Sequence, residues 1–331
     1  MELMHKIKDK WQRNQKIYKD AYRRGKIAGF DYTWLLWKNH TKFLLRMRDP
    51  KDKQKAFERM NQFWETFLNV IQPYKDMPVY PQRENVASND HARIWLYWNN
   101  PSDMPQMVKS CISLIKKNSN GCKVVVVSED TVKKYLQLDA IVWKKYREGK
   151  ISRTHFSDIV RIALLYQYGG VWMDCTILLT RPLPTIVTSS DFYTNRLDIK
   201  DEVNVGAGRW STFFMACHRH NLMMRATLDV FVEYWKRYDD IVDYVWMDYI
   251  FNMLYNHIPS IKNMLDAVPY NNPNIWILQT MISKSFSKER FNAIFADESR
   301  FMYKLSYKDS QNAPYLDSQG NKTLMGHICE M

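Results

Sequence analysis

The sequence predicts a mixed α/β body behind an all-helical N-terminal region. Three observations lead there. From Ile94 onward, strand-like apolar runs alternate with helix-length segments whose apolar residues recur every three or four positions, as in β-α-β units. Before Pro73 the apolar residues keep helical spacing. The composition, 12 Trp, 20 Tyr and 18 Met against 10 Gly in 331 residues, suits packed helices and argues against a β-sandwich or a disordered chain.

Taken in order, Met4, Ile7, Trp11, Tyr18 and Tyr22 mark a first helix with lysines and arginines between them. Trp34-Leu35-Leu36-Trp37 and Phe43-Leu44-Leu45 form a second apolar cluster, and Ala56, Met60, Phe63, Phe67 and Ile71 a third stripe ended by Pro73. Pro73, Pro78 and Pro81 then break the pattern, which divides the chain into a basic helical region, residues 1–85, and a body, 86–331. In the body, Ile94 to Trp98 reads as a strand, Asn99-Asn100-Pro101 as a turn, and Pro105 opens a helix through about Lys117. The run from Cys122 to Val127, apolar but for Lys123, predicts a parallel strand covered on both faces, with Ser128 or Asp130 capping a short helix. Phe192–Thr194 and 213–216 read as strands. Asp198 to Trp210, polar and holding Gly206 and Gly208, reads as a mobile loop of the kind that closes over a ligand. Leu222 to Trp235 is an amphipathic helix, and Asp243 is expected to cap the next one, which carries Asp248.

The five cysteines are scattered without C-x-x-C spacing, so neither a disulfide frame nor a zinc site is expected and a reducing, cytoplasmic setting is. The first residues lack a signal-peptide core, and no segment is apolar enough to span a bilayer. The net charge of +13 is lopsided: residues 1–60 hold 11 Lys and 6 Arg against 7 acidic residues, a net +10, which leaves +3 for the rest. Such a head reads as core seams against the body and, with Trp11, Trp34 and Trp37, as an amphipathic surface for anionic lipid on the inner face of the plasma membrane, two readings that can hold at once on different faces. A non-enzymatic protein gripping nucleic acid or phosphate through the head is the competing class. The nearly neutral body and the lack of any nucleic-acid motif count against it, so no nucleic-acid partner is expected. Neither G-x-G-x-x-G nor a P-loop occurs.

The chain is organised around Ser157–Thr176, SDIVRIALLYQYGGVWMDCT. A helix capped by Thr154 or Ser157 carries Asp158 and Arg161 on one face, Gly169 and Gly170 reverse the chain, and Val171-Trp172-Met173 forms a short strand with Asp174 at its carboxyl end. Taken singly, Asp158 and Arg161 read as a solvated ion pair and Asp174 as a turn residue. The ordered pattern S-D-x-x-R-(x)12-D, with L-Y-x-Y-G-G-V-W before the last Asp, resembles sugar transferases of the GT-A fold. It is most similar to the capsular polysaccharide synthesis family, which is related to fungal initiating mannosyltransferases and clostridial glucosylating toxins. The likeness runs from Arg93 to His327 and is sharp over Ser157–Thr176.

The resemblance implies a GT-A architecture, a Rossmann-like mixed sheet flanked by helices. It implies a glycosyltransferase that moves a hexose from a nucleotide-diphosphate sugar, UDP being the expected nucleotide. The acceptor would be a lipid-linked saccharide in surface polysaccharide synthesis, and configuration would be retained. By the same likeness Asp158 and Arg161 hold donor-sugar hydroxyls, Asp174 serves ribose, sugar or metal, and Asp248 of the D-Y-x-x-x-D element faces the sugar. Trp98 would pack on the donor base, with Trp95 and Tyr97 as rivals for that role. The tail from Tyr303 would return over the donor, with Lys308 meeting diphosphate and His327 meeting metal or phosphate. A divalent cation, Mn or Mg, is expected at Asp174 and His327. The D-x-D of the relatives reads Asp174-Cys175-Thr176 here, which removes the second carboxylate from any such site.

Overall fold

The computed structural model describes residues 2–45, 47, 49–80, 93–198, 205–296, 298 and 300–331. Its centre is a five-stranded mixed sheet ordered β2-β1-β3-β6-β5, with β1 Arg93–Tyr97, β2 Lys123–Val127, β3 Gly170–Met173, β5 Phe192–Thr194 and β6 Phe214–Cys217. β1 runs parallel to both β2 and β3, while β6 is antiparallel to β3 and β5. The remaining strands, β4 Ile177–Leu179 and β7 Met302–Lys304, form a separate antiparallel pair. A mixed sheet flanked by helices is what the resemblance implies, and helices before it are what the sequence pattern predicts.

Side chains alternate across the sheet, as a period of two requires. Ile94 and Leu96 of β1, Val171 and Met173 of β3, and Phe214 and Ala216 of β6 enter one core. Trp95, Tyr97, Trp172, Met215 and Cys217 enter the other. The first core is closed by α4 Gln106–Lys117 and α8 Leu324–Glu330. The second is closed by α5 Arg153–Tyr168, α6 Leu222–Arg237 and α7 Trp246–His257. β2 departs from expectation: its valines face both cores, yet it is an edge strand, so Val124, Val125 and Val126 stay only half-buried.

The head consists of α1 Glu2–Ala28, α2 Phe30–Leu44 and α3 Pro50–Glu65. Its seams are core, as one reading held. Trp64 and Phe67 stack on Tyr234 of α6, and Arg24 pairs with Asp243 at 2.6 Å. Part of its positive charge is paired internally: Lys38 and Lys42 both bind the buried Asp52, and Arg59 binds Asp31. Trp37 is likewise partly buried, its indole donating to the Tyr18 carbonyl. Trp11 and Trp34, by contrast, are 59% and 64% exposed. The expected boundary at residue 85 lies outside the described residues, as do residues 199–204 of the expected mobile loop. Among the described residues no helix is long and apolar enough to cross a membrane.

Candidate active site

The site grows from the helix-glycine-strand unit. Its helix begins earlier than expected: Ser152, not Thr154 or Ser157, is the N-cap, its hydroxyl accepting from the His155 amide. The register nevertheless brings Asp158 and Arg161 to one rim, with Arg161 Nη1 3.4 Å from Asp158 Oδ1. Both glycines are required by geometry. Gly169 ends the helix at φ 64° and Gly170 starts β3 at φ 93°. A Cβ would meet the Arg219 nitrogen at 2.5 Å in the first and the Arg93 carbonyl oxygen at 2.4 Å in the second. The reversal delivers Asp174 just past β3, its amide donating to the Phe213 carbonyl. Arg161 Nη2 then reaches Asp174 Oδ1 at 3.3 Å, and its guanidinium lies 4.8 Å over the Trp172 ring.

These groups line a cavity of about 500 Å³ at the carboxyl ends of β1 and β3. The chain steps from β1 out to β2 and returns to place β3 on the other side of β1, so this crevice is a topological switch point, where open α/β sheets bind ligands. The lining holds Asp158, Asp174 and Asp248 against Arg161, Lys304 and Lys308, with Trp98, Tyr307, Phe213 and Trp276 as aromatic wall. Trp98 meets Tyr307 edge-on at 5.5 Å. Of its rivals, Trp95 is buried and donates to the Gly169 carbonyl, whereas Tyr97 also reaches the cavity.

Each of the three carboxylates accepts a hydrogen bond from a different indole. Trp246 donates to Asp158 (3.0 Å), Trp172 to Asp174 (3.1 Å) and Trp210 to Asp248 (2.9 Å). An indole N–H is a neutral donor, so it fixes an oxygen without cancelling its charge. Burial pushes the Asp158 carboxyl up to about 6, opposed by Arg161 and by the Trp246 indole. Burial raises Asp248 as well, against the Trp210 bond and Arg161. Because the indole favours the ionised form, Trp246→Phe should raise the Asp158 value further, by about one unit for a charged-group hydrogen bond of ~1.5 kcal/mol. Carboxyl carbon NMR titration measures this directly; an unmoved titration would mean that the bond does not hold the charge.

Two expected residues land elsewhere, and two were missed. His327 does not reach this cavity. It stacks on Phe286 at 3.8 Å and lines a separate cavity with Lys117 and Arg181, so it offers nothing to an ion at Asp174. Asp243 is not the cap of α7, a position held by Val245, though it accepts from the Val245 amide and ties down Arg24. The expected loop is pinned at its end by the buried Trp210. The missed residues are Trp246, hidden because tryptophan reads as core, and Lys304, which lies beside the expected Lys308. Lys304 Nζ sits 3.3 Å from Asp174 Oδ2, donates to the Thr176 hydroxyl, and lies over Phe213 and Trp276. β7 places it there, since Lys304 registers against Ile177 of β4. That pairing, which the sequence does not show, puts the lysine one register step from Thr176.

These side chains do not fit a divalent cation. Among the described residues no three His, Cys, Asp or Glu groups converge on a metal position. Asp174 Oδ1 already faces Arg161 and Trp172, and Oδ2 faces Lys304. An octahedral ion at about 2.1 Å from oxygen would displace the ammonium or share a lone carboxylate with two cations. Cys175 adds no soft ligand, because burial holds its thiol above the usual range and its sulfur contacts the Tyr97 carbonyl.

Comparison with known proteins adds the following. Residues 47–323, which include every cavity carboxylate and lysine, match the family model described as capsular polysaccharide synthesis protein. A glycosyltransferase of Aspergillus fumigatus is 30% identical over 111 residues, covering 30% of this chain and 28% of that protein. An uncharacterized protein of Arabidopsis thaliana is 26% identical over 140 residues, 34% of this chain and 20% of that one. The chain thus matches less than a third of the length of either relative. Among solved structures, the PaToxG glycosyltransferase aligns with 15% identity over 66% of this chain and 84% of its own, with a TM-score of 0.38.

Proposed function

The chain belongs to the capsular polysaccharide synthesis protein family, and from that premise we propose that it is a glycosyltransferase. In this reading it moves a hexose from a nucleoside-diphosphate sugar, UDP being the expected nucleotide, to a lipid-linked saccharide acceptor in surface polysaccharide synthesis. One observation carries the reading: a single crevice joins an aromatic wall at Trp98 to the charged floor of Asp158, Arg161, Asp174 and Lys304.

Each part has a task in such a transfer. The bond between the anomeric carbon and the β-phosphate oxygen breaks, and its electron pair goes to that oxygen. The acceptor hydroxyl oxygen bonds the anomeric carbon, and its proton passes to the departing diphosphate. Trp98 stacks the base. Asp158, Asp248 and Arg161, immobilised by indoles and by each other, hold sugar hydroxyls in fixed directions. Asp174 gives the anomeric carbon an anionic neighbour as positive charge develops. Retention follows if the hydroxyl attacks from the face that the diphosphate leaves.

The test is thermal unfolding with ligands. UDP and UDP-sugars should raise the midpoint, by roughly 2.7 kcal/mol of stabilisation at a hundredfold excess over Kd, while oligonucleotides should not. Stabilisation by oligonucleotides alone would favour the competing class. The head is proposed to rest on anionic lipid at the inner face of the plasma membrane, supported by its +10 charge and by the exposed Trp11 and Trp34. Its binding to vesicles should rise with anionic lipid and fall with salt; co-sedimentation indifferent to both removes this part.

A further inference from the structure

We propose that Lys304 takes the place of a divalent cation at this site, so that sugar transfer needs no metal. The inference rests on the donor reading above and deepens it. Three features carry it. The position where the Asp174-Cys175-Thr176 element would hold an ion is filled by the Lys304 ammonium, which spans the Asp174 carboxylate at 3.3 Å and the Thr176 hydroxyl. The second carboxylate that would favour a dication over an ammonium is absent, Thr176 standing there instead. The ammonium is also built in rather than draped. Its side chain is only 11% exposed, it donates to the Leu305 carbonyl at 3.2 Å, and it lies 5.6 Å over Phe213 and 5.9 Å over Trp276.

A lysine so caged is a fixed point charge. Ammonium is a natural phosphate partner, and in a water-poor crevice it neutralises the oxyanion that appears when the glycosidic bond breaks. Lys304 donates hydrogen bonds to the β-phosphate oxygen that receives the electron pair. Asp174 holds the ammonium in place before the donor arrives. Lys308, on the same rim, adds a second positive charge for the diphosphate.

The experiment is calorimetric titration of inorganic pyrophosphate into the full chain in EDTA, and again with manganese. Binding should persist in EDTA within threefold of its strength with manganese. It should weaken at least thirtyfold in Lys304→Gln and recover most of that loss in Lys304→Arg, each variant being checked for an unchanged melting midpoint. Should Lys304→Gln fail to fold, the Lys304→Arg protein and the EDTA arm of the wild type still decide. Binding that appears only with manganese overturns the proposal, as does a folded Lys304→Gln that binds like the wild type. The two readings fail separately. Pyrophosphate binding through Lys304 without turnover of any nucleotide sugar removes the proposed reaction and keeps the lysine site. Turnover that stops in EDTA and returns with manganese keeps the reaction and removes the lysine's role.

Discussion

Asp174→Asn should lower turnover with saturating donor by about 10²–10³-fold while leaving the fold intact. The amide oxygen can still accept from Trp172 and Arg161, so the side chain keeps its anchorage at 3.1 and 3.3 Å. What disappears is the negative charge: Lys304 loses its counter-ion, and with it goes the anionic neighbour proposed for the anomeric carbon. The variant should therefore match the wild type in near-ultraviolet circular dichroism and in melting midpoint while its kcat collapses. Turnover close to wild type would remove Asp174 from the chemistry altogether.

Arg161→Ala should be the most destabilising single change at the site. The guanidinium is buried among Asp158, Asp174 and the Trp172 ring, with side-chain exposure of 7% against 11% for Asp158. Removing one partner of a buried ion pair costs about 3–5 kcal/mol, because the charge left behind has neither solvent nor counter-ion. The deficit has a pH signature. Asp158 already titrates near 6 through burial, and without Arg161 it takes up a proton more readily. The neutral carboxyl needs no counter-ion, so the deficit should be smaller at pH 5 than at pH 8. Asp158→Asn should accordingly recover part of the loss in the double variant. Denaturant unfolding of the two single variants and the double measures the coupling. Strict additivity would mean that the pair does not share its charge.

The parts of this site that could be read from the sequence are those built by neighbours in the chain. Asp158, Arg161 and Asp174 lie within one helix-reversal-strand unit, where helical spacing and two glycines dictate the geometry. Asp248 and Trp98 were named through the family resemblance, and both line the cavity. Lys304 was not, because only the pairing of β7 with β4 decides which lysine of the Tyr303–Lys308 run meets Asp174. Trp246 escaped for another reason: composition shows a tryptophan's apolar surface but not its single donor. His327 illustrates the reverse error, a ligand-type residue whose ring is used for stacking on Phe286. The valine run of β2 misled about position, since lying between two cores and lying inside the sheet leave the same apolar pattern.

The β4–β7 pair also sets an order of assembly. Lys304 follows Thr176 by 128 residues, so a nascent chain acquires Asp174 long before the lysine that answers it. Until β7 is made and docks, β4 has no ladder partner, and the acidic rim of the crevice lacks the ammonium that balances Asp174. The pairing is non-local, so it carries a larger loop-closure cost than the local helix-reversal-strand unit. Completion of the cavity's charge set is thereby tied to completion of the fold: a chain stalled before Met302 carries Asp158, Asp174 and Asp248 but not the lysine proposed to meet the diphosphate.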